Sequence, residues 1–368
     1  MLFIKQGSIR FKGLGGVAGQ TLKAGRMEFN DGAEVAPKNA TLAALKRDRI
    51  SQRLIGTFGF SDVGRSVDGV QYSLGGSPLN FTFLGGRPTQ GVFQVDGWRE
   101  LKVNIFYGAL TRQLGSEHHV GEWRVFALGY SDYRDNVLKT DNRPLASRQA
   151  DGGSVDIGTY GGHYLRVDQT PAGTVDLLLW GAGQVGSWGA LTQRAGAFAA
   201  EAGWQPAGLE KVRPWLRGGY NYGSGDGDAT DRTHSTFFQV LPTPRIYARF
   251  PFFNMMNLTD AFGELILRSA KGVTIRADGH ALRLADRSDL WYVGGGAFQP
   301  ATFGYTGRPS NGQSALATLY DASADYTVNA HLSIGAYYGV ASGGGVTQAI
   351  FPNGAKAHFG YLELLARF

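Results

Sequence analysis

Short segments in which apolar and polar residues alternate recur along the chain, separated by Gly, Asp, Asn and Pro. Between residues 331 and 340, one face carries the apolar and aromatic residues Leu332, Ile334, Ala336, Tyr338 and Val340. The intervening positions are Ser333, Gly335, Tyr337 and Gly339. A period of two with one small or polar face predicts a strand that contacts an apolar phase on one side. Residues 102–107, 197–204 and 273–277 repeat the pattern, so the chain is expected to be all-β.

The segments between the predicted strands are rich in turn-forming residues. The predicted loops are residues 30–43, 132–153, 223–236, 285–288, 299–313 and 342–355. Beyond Gly279, Leu282 and Leu284 fall on the same face as Arg276, which predicts a bulge or turn there. No shift in composition marks a boundary, so residues 1–368 are expected to form one domain.

Aromatic residues near the predicted strand ends favour a membrane barrel over a soluble β-sandwich, which also alternates. They resemble the interfacial belts of such barrels and comprise Trp180, Trp188, Trp204, Trp215, Tyr337 and Tyr338. The last strand carries Leu362, Leu364, Ala366 and the terminal Phe368 on one face. These features predict a transmembrane antiparallel β-barrel of about 16–18 strands, located in the outer membrane of a Gram-negative bacterium.

Composition and charge agree with that prediction. The 368 residues include 55 Gly and no Cys, and no stretch approaches the ~18 uninterrupted apolar residues of a membrane helix. Residues 1–6 do not form a signal peptide, so we expect a chain from which that peptide is absent. The net charge is +6. The basic residues are spread along the chain, and their densest cluster, residues 46–49, is interrupted by Asp48, unlike the contiguous tract of a nucleic-acid-binding arm.

Several segments form an ordered set of motifs that covers most of the chain. They are residues 24–32 with the pair Gly25-Arg26, 52–56, 64–70, 139–144 with Arg148, 180–189, Glu201 with Gly203, 222–226, 236–239 with Pro242, and 253–258. In this order they resemble the alginate-export family of outer-membrane porins, although Val67 stands where that family is expected to have Phe. The strand number of the family implies that one or two N-terminal strands are absent from this chain.

The resemblance implies passive export of an acidic polysaccharide, a polyuronate, through a basic lumen. A polyanion loses hydration in a narrow pore unless fixed cations compensate, and the planar guanidinium of Arg suits carboxylates. The candidate lumen residues are Lys5, Arg26, Arg53, Arg65, Arg87, Arg143, Arg148, Arg194 and Arg276, with the acids Asp31, Asp68, Asp141 and Glu201. A wider set adds Arg99, Arg134, Arg166, Arg217, Arg268, Asp96, Asp176, Glu264 and Asp278. For each Arg the alternative is a salt bridge that maintains the barrel.

The sequence gives only weak signals for a metal site or a catalytic site. Residues 224–231 begin like a calcium-binding loop but depart from its pattern, so a flexible acidic loop is preferred and an irregular calcium site is the alternative. The adjacent His118 and His119 would point to opposite faces of a strand, and residues 293–296 lack the Lys-Ser/Thr ending of a phosphate loop. We therefore expect no enzyme and no cofactor.

The expected partners are the anionic polysaccharide, outer-membrane lipid including lipopolysaccharide, and periplasmic export proteins, with no nucleic acid and a monomeric barrel. Residues 223–236 are a candidate gating loop. Two other functions stay open: a general or substrate-specific anion-selective porin for small molecules, and a soluble all-β carbohydrate-binding protein.

Overall fold

The computed structural model describes residues 3–61, 63–76, 78–93, 99–116, 118–135, 137–268 and 272–367. Asp96 and Phe368, which carry two of the predictions above, lie outside these residues. The described strands are β1 (Gly7–Lys12), β2 (Gln20–Met27), β3 (Val67–Gly75), β4 (Leu79–Pro88), β5 (Val103–Gly115), β6 (His119–Asp132), β7 (Val155–Thr170), β8 (Gly173–Trp188), β9 (Leu191–Pro206), β10 (Trp215–Gly223), β11 (Thr233–His234), β12 (Leu258–Arg268), β13 (Val273–Arg283), β14 (Leu290–Val293), β15 (Thr306–Pro309), β16 (Ala315–Thr327), β17 (Leu332–Gly343) and β18 (Lys356–Ala366).

Helical structure is confined to short pieces of the connections. The α-helices are α1 (Ala40–Leu45), α2 (Leu145–Ala150) and α3 (Gly345–Ile350). The side chain of Asn39 caps α1 by accepting the Leu42 amide at 3.0 Å, and a π-helical turn, Lys46–Ile50, follows directly. Among the described residues, no helix has the length and apolar character needed to cross a bilayer.

Sixteen of the described strands form one sheet that encloses a common interior. Neighbours in the sheet follow the order β1 to β10, then β12, β13, β16, β17 and β18, and every pair along this path is antiparallel. The short strand β11 adds to β9 in parallel, and β14 pairs with β15 as a separate hairpin. The predicted all-β antiparallel architecture is confirmed.

The alternation found in the sequence corresponds to the two faces of this sheet. In β9, Ala197, Ala199 and Glu201 are buried inside, whereas Phe198 and Trp204 are exposed on the outward face. The apolar sets predicted for β17 and β18 also point outward, with Ile334, Leu362 and Leu364 exposed. The predicted irregularity after Gly279 is a register shift between Leu282 and Arg283 against β16.

The interpretation of the aromatic residues as interfacial belts is wrong for most of them. Trp180, Trp188, Trp215 and Tyr337 are buried in the interior, while Trp204 and Tyr338 face outward. The difference arises because the loops fill the interior and provide apolar surface there. The position of an aromatic residue near a strand end therefore does not show whether it faces the membrane or the loops inside the barrel.

The two ends of the barrel differ in the length of their connections. Short connections such as the turn at residues 171–172 join strands at one end, which we call the short-turn end. The connections 28–66, 89–102, 133–154, 224–257, 284–314 and 344–355 all lie at the other end, which we call the long-loop end. The 189–190 turn between β8 and β9 is a short exception at the long-loop end.

The long loops fold back into the barrel and fill its interior near the long-loop end. Phe238 lies at the centre of this packing, with ring centroids 5.1 Å from Trp188 and 5.4 Å from Tyr130 on the barrel wall. The wall residue Gln184 bonds both backbone groups of Phe238 at 2.8 Å. His234 stacks on Trp188 at 4.5 Å, which fixes the loop onto the inner surface of β8.

Candidate functional site

One loop segment crosses the interior and carries basic side chains into contact with the wall. We call residues 40–55 the lumen segment; it comprises α1, the π-helical turn and the residues that follow. Lys46 Nζ lies 2.7 Å from a carboxylate oxygen of Glu122 on β6. The same carboxylate accepts a hydrogen bond from His163 Nε2 of β7 at 2.8 Å. Both partners of the Lys46 pair are buried, so the segment is held by charge in a dry environment.

Glu201 on β9 is the central acid of the interior. Arg49 of the lumen segment donates two hydrogen bonds to its carboxylate, at 2.8 and 2.9 Å. Arg217 of β10 donates a third at 3.0 Å, and Arg53 lies 3.7 Å away. Arg217 also pairs with Asp176 of β8. Three guanidinium groups therefore surround the Glu201 carboxylate, and Arg217 contacts both Glu201 and Asp176.

Aromatic rings cover the flat faces of these guanidinium groups. Arg49 lies 4.3 Å from the ring centroid of Phe262, and Arg53 lies 4.3 Å from that of Tyr247. Arg53 is completely buried. Cation–π contacts with little water between the groups add to the ion pairs and restrict the orientation of each side chain. The side chains of the lumen segment therefore pack against the wall at the centre of the interior.

The lumen segment enters from the long-loop end but reaches the short-turn half of the barrel. Glu122 and Glu201 both lie nearer the short-turn end of their strands, as does Arg276 of β13. Asp48 in the π-helical turn lies 3.6 Å from Arg276. The adjacent Arg47 side chain is 67% exposed and donates two hydrogen bonds of 2.7 Å to the same Asp48 carboxylate.

Beyond the lumen segment, basic side chains line the short-turn half of the interior among acids that include Asp278 and Asp321. We call this region the basic vestibule; it comprises Arg10, Lys12, Lys23, Arg47, Arg249, Arg268 and Arg276. Arg10 of β1 and Lys23 of β2 are directly paired on the inward face. Its acids include Asp48, Glu264 and Asp325, which pair with Arg276 and Arg249. These ion pairs hold the guanidinium groups in place.

Among the residues predicted from sequence, the structure places Arg53, Arg276 and Glu201 inside the barrel. Arg65 is also buried, but it donates to the backbone carbonyls of Gly56, Leu241 and Gly296, which joins three loop segments. Asp31 accepts the amides of Leu54 and Ile55 at 3.0 and 2.8 Å and so fixes the end of the lumen segment.

Three further predicted residues belong to the 133–154 loop at the long-loop end. Arg143 pairs with Asp141 at 2.8 Å and with Asp151 at 2.9 Å. Arg148 donates to the carbonyl oxygen of Arg143 at 3.1 Å. Asp141 also accepts Trp188 Nε1 at 2.9 Å, which attaches the loop to the wall. These contacts organise a loop and do not bring the residues to the short-turn half.

The expected lumen orientation is wrong for Arg26, Asp68, Arg87 and Arg194. Arg26 and Asp68 form a bidentate pair, with hydrogen bonds of 2.7 and 2.6 Å, on the outward face of β2 and β3. Arg87 follows on β4, and Arg194 is exposed on β9. Their neighbours Met27 and Val67 are the buried, inward residues, so the charged residues take the opposite face. Lys5 lies before β1, with Nζ 3.6 Å from Glu28.

Sequence reasoning missed Lys46, Arg49, Glu122 and Arg124 as interior residues. Arg124 is buried on β6, 2.8 Å from Glu34 of the 28–66 loop. The strand alternation offered a signal, because Glu122 and Arg124 share a face with Phe126, Leu128 and Tyr130. The cluster 46–49 was visible only as a group of charges, and nothing in the local sequence indicates that it enters a barrel.

The acidic loop 224–231 meets the 284–314 loop at a pair of buried carboxyl groups. The Asp226 amide donates to Asp289 at 3.0 Å, and the Thr236 hydroxyl donates to the same oxygen at 2.6 Å. Burial, with a contribution from Asp289, raises the pKa of Asp226 to about 7, and burial raises the pKa of Asp289 to about 6. Within the described ranges, no group of three or more His, Asp or Glu residues could hold a metal ion.

Comparison with known proteins gives one family and two similar folds. The sequence model of a family described as alginate export matches residues 3–350. The Pseudomonas aeruginosa protein OccK5 (OpdH) is similar in structure, with a TM-score of 0.51, 9% identity and coverage of 96% of this chain and 79% of that one. OccK10 (OpdN) from the same organism gives a TM-score of 0.52 at 11% identity, with coverage of 95% and 81%. No curated protein matches the chain significantly.

Proposed function

From the premise that this chain belongs to the alginate-export family and is a β-barrel channel of the bacterial outer membrane, we propose that it passively exports an alginate-like polyuronate. The family and the porin-like fold indicate a channel rather than an enzyme. The family and the fold give the location of the protein and its class. The charge of the solute, the direction of transport and the residues that contact the polymer are the proposal.

The basic vestibule carries this proposal. Arg47 is largely exposed, and Arg276 and Arg249 are partly exposed, so their guanidinium groups can meet a solute without first unfolding the wall. A polyuronate presents one carboxylate per sugar, and each Arg can bind both oxygens of such a group. Because acids such as Asp48 and Glu264 already neutralise part of the charge, each contact is weak, and the polymer can move from one cation to the next.

The lumen segment closes the path in this structure, so export needs a second conformation. Its contacts with the wall are mainly ion pairs to Glu122 and Glu201, flanked by apolar packing. A carboxylate polymer that binds Lys46 or Arg49 competes with those wall acids for the same cations. We infer that the polymer itself favours the open conformation, and that concentration or periplasmic export proteins supply the drive. We further propose that a single chain forms the channel.

The test is current through single channels in planar bilayers, with oligouronates of increasing length added on one side. The proposal expects anion-selective current that oligouronates block more strongly as their length increases. Arg47→Gln and Arg276→Gln should each relieve the block several-fold, because each removes a cation from the vestibule. The matched control is Arg194→Gln, which removes an outward-facing Arg and should leave the block unchanged.

The result also separates the rival functions. An anion-selective current that is indifferent to uronates, with all three variants equal to the parent, overturns polysaccharide export and identifies a porin for small anions. Failure to incorporate into bilayers in any form, with the protein recovered in the aqueous fraction without detergent, overturns the channel itself.

A further inference from the structure

An open apolar groove runs along the outward surface of β6, β7, β8 and β9. It has a volume of about 550 Å³. Its floor is the pair Gly162 and Gly181, which lie side by side on β7 and β8. Trp123, Leu179 and Phe198 form its walls. Two adjacent glycines between the larger side chains of Trp123, Leu179 and Phe198 leave a depression in this surface.

A basic pocket lies beside this groove, toward the short-turn end. Its volume is about 380 Å³, and Arg112, His119 and Arg166 line it, with Gly121 at its centre. Arg166 pairs with Asp168 at 2.8 Å and is still half exposed. Arg112 makes no ion pair with any residue that the structure describes, and it faces outward. The pocket therefore has a net positive charge on the surface that contacts the membrane.

The groove and the pocket form one continuous surface. Tyr164 lines both. In the sheet register, Trp123 is directly opposite Arg112 on one side and Tyr164 on the other, so the aromatic pair separates the basic pocket from the apolar floor. An apolar groove that leads into a cationic pocket matches a molecule with a hydrocarbon chain and an anionic head.

We propose that this surface binds one glycerophospholipid, with a phosphate oxygen pair on Arg112 and Arg166 and one acyl chain over Gly162 and Gly181. The short turns of outer-membrane barrels face the periplasm, and the leaflet on that side consists of glycerophospholipids. Arg binds phosphate through paired N–H donors, and Trp and Tyr lie naturally at the boundary between headgroups and hydrocarbon. The proposal depends on the membrane location and is independent of which solute the lumen carries.

The experiment is native mass spectrometry of the intact protein released from detergent, titrated with dioleoyl phosphatidylglycerol. The parent should retain one lipid at concentrations where further lipids are lost. Arg112→Gln with Arg166→Gln should weaken retention about tenfold or more. Gly181→Leu should weaken retention independently, because the new side chain fills the groove. The backbone has room for it, since the nearest atom to a Cβ at residue 181 is a carbonyl oxygen 3.7 Å away.

Two matched controls separate this site from the general lipid layer. Arg194→Gln removes an outward Arg near the long-loop end, and Gly263→Leu adds the same side chain to β12, where nothing lies within 4 Å of the new Cβ. Heat-modifiable migration on a gel confirms that every variant is folded. Loss of the lipid in both test variants and retention in both controls supports the site.

Equal retention in all variants, or equal loss in the controls, overturns it. Displacement of the lipid by inorganic phosphate, with Gly181→Leu unaffected, identifies a phosphate site without an acyl groove and also overturns the proposal. Capture of a protein partner at this surface in place of lipid does so as well.

Discussion

Arg49 and Glu201, 152 positions apart in the sequence, form a buried bidentate ion pair that joins the lumen segment to the barrel wall. The two hydrogen bonds use the full fork of the guanidinium group, so the pair fixes orientation as well as distance. Arg53 and Arg217 approach the same carboxylate. Glu201 is therefore the acid on which the closed conformation most depends.

Replacement of Glu201 by Gln should open the channel. The change leaves the cations of Arg49, Arg53 and Arg217 buried with less compensation, and loss of one partner of a buried pair typically costs about 3–5 kcal/mol. Only the lumen segment can leave the interior to relieve this cost, since Arg217 belongs to the wall. We expect a higher open probability and a larger mean current in planar bilayers.

The matched control is Glu100→Gln, which removes an exposed acid 3.5 Å from the outward-facing Arg87. It should leave the current at the parental level. A Glu201→Gln channel with parental current would show that the apolar packing of the loops, and not this ion pair, determines closure.

The junction between the 224–231 and 284–314 loops should weaken as the pH rises. The pKa of Asp226 is raised to about 7 from a usual value of 3.8, so the folded junction favours the protonated carboxyl. Its stabilising contribution is complete below a pH of about 4 and is lost as the pH rises to about 7. Hydrogen exchange of residues 224–236, corrected for the intrinsic effect of pH, should increase over that interval.

Asp226→Asn provides the control, because an amide has the size of the protonated carboxyl and does not titrate. This variant should lose less of the low-pH protection of the loop than the parent does, and the remaining loss should follow Asp289, whose pKa is raised to about 6. A parental protein whose corrected exchange is the same at about pH 4 and at about pH 7 would contradict the prediction.

Gly186→Ala should prevent correct folding, while Gly183→Ala on the same strand should be tolerated. Gly186 has a φ of 141°, and a Cβ there would collide with the carbonyl oxygen of Asp156 on β7. At Gly183 the nearest atom to a new Cβ is 4.0 Å away. The measurement is the folded fraction after refolding into detergent, read from heat-modifiable migration. Equal yields for the two variants would show that the strand can adjust its backbone at Gly186.

Phe238→Ala should destabilise the loops that fill the interior. The ring is completely buried among Trp188, Tyr130 and Phe303, and truncation of a buried Phe typically costs about 3–5 kcal/mol. Urea unfolding in detergent, followed by tryptophan fluorescence, should show a lower midpoint. Phe351→Ala, at an exposed loop position, should leave the midpoint unchanged. Similar midpoints for both variants would mean that the loops unfold without changing the surroundings of the tryptophan residues.

Strand alternation was sufficient to predict the fold because it records which face of the sheet each residue takes. Phe198 and Glu201 were assigned to opposite faces from sequence, and the structure confirms this. The prediction failed where a strand meets a loop. At Arg26 and Arg194 the charge was taken as a sign of the lumen, yet outward positions near the barrel rim also reach water and tolerate charge.

The interior site could not be read from sequence because its contacts join distant segments. Lys46 and Glu122 are separated by 76 positions, and either residue alone is compatible with an exposed loop or strand. The local sequence pattern shows where strands occur and which face each residue takes, but it does not show which loop enters a barrel. The resemblance to an export family directed attention to Arg residues in its motifs, whereas the exposed cations of the basic vestibule lie largely outside them.

The three strands β7, β8 and β9 are joined by the 171–172 and 189–190 turns and pair over their full length. Contacts within this meander are local in sequence, so we expect it to form early during assembly. Glu201 and Asp176 both lie on it. The acids that receive Arg49 and Arg217 are thus set in register before distant strands arrive, and the lumen segment docks late, onto a surface that is already made.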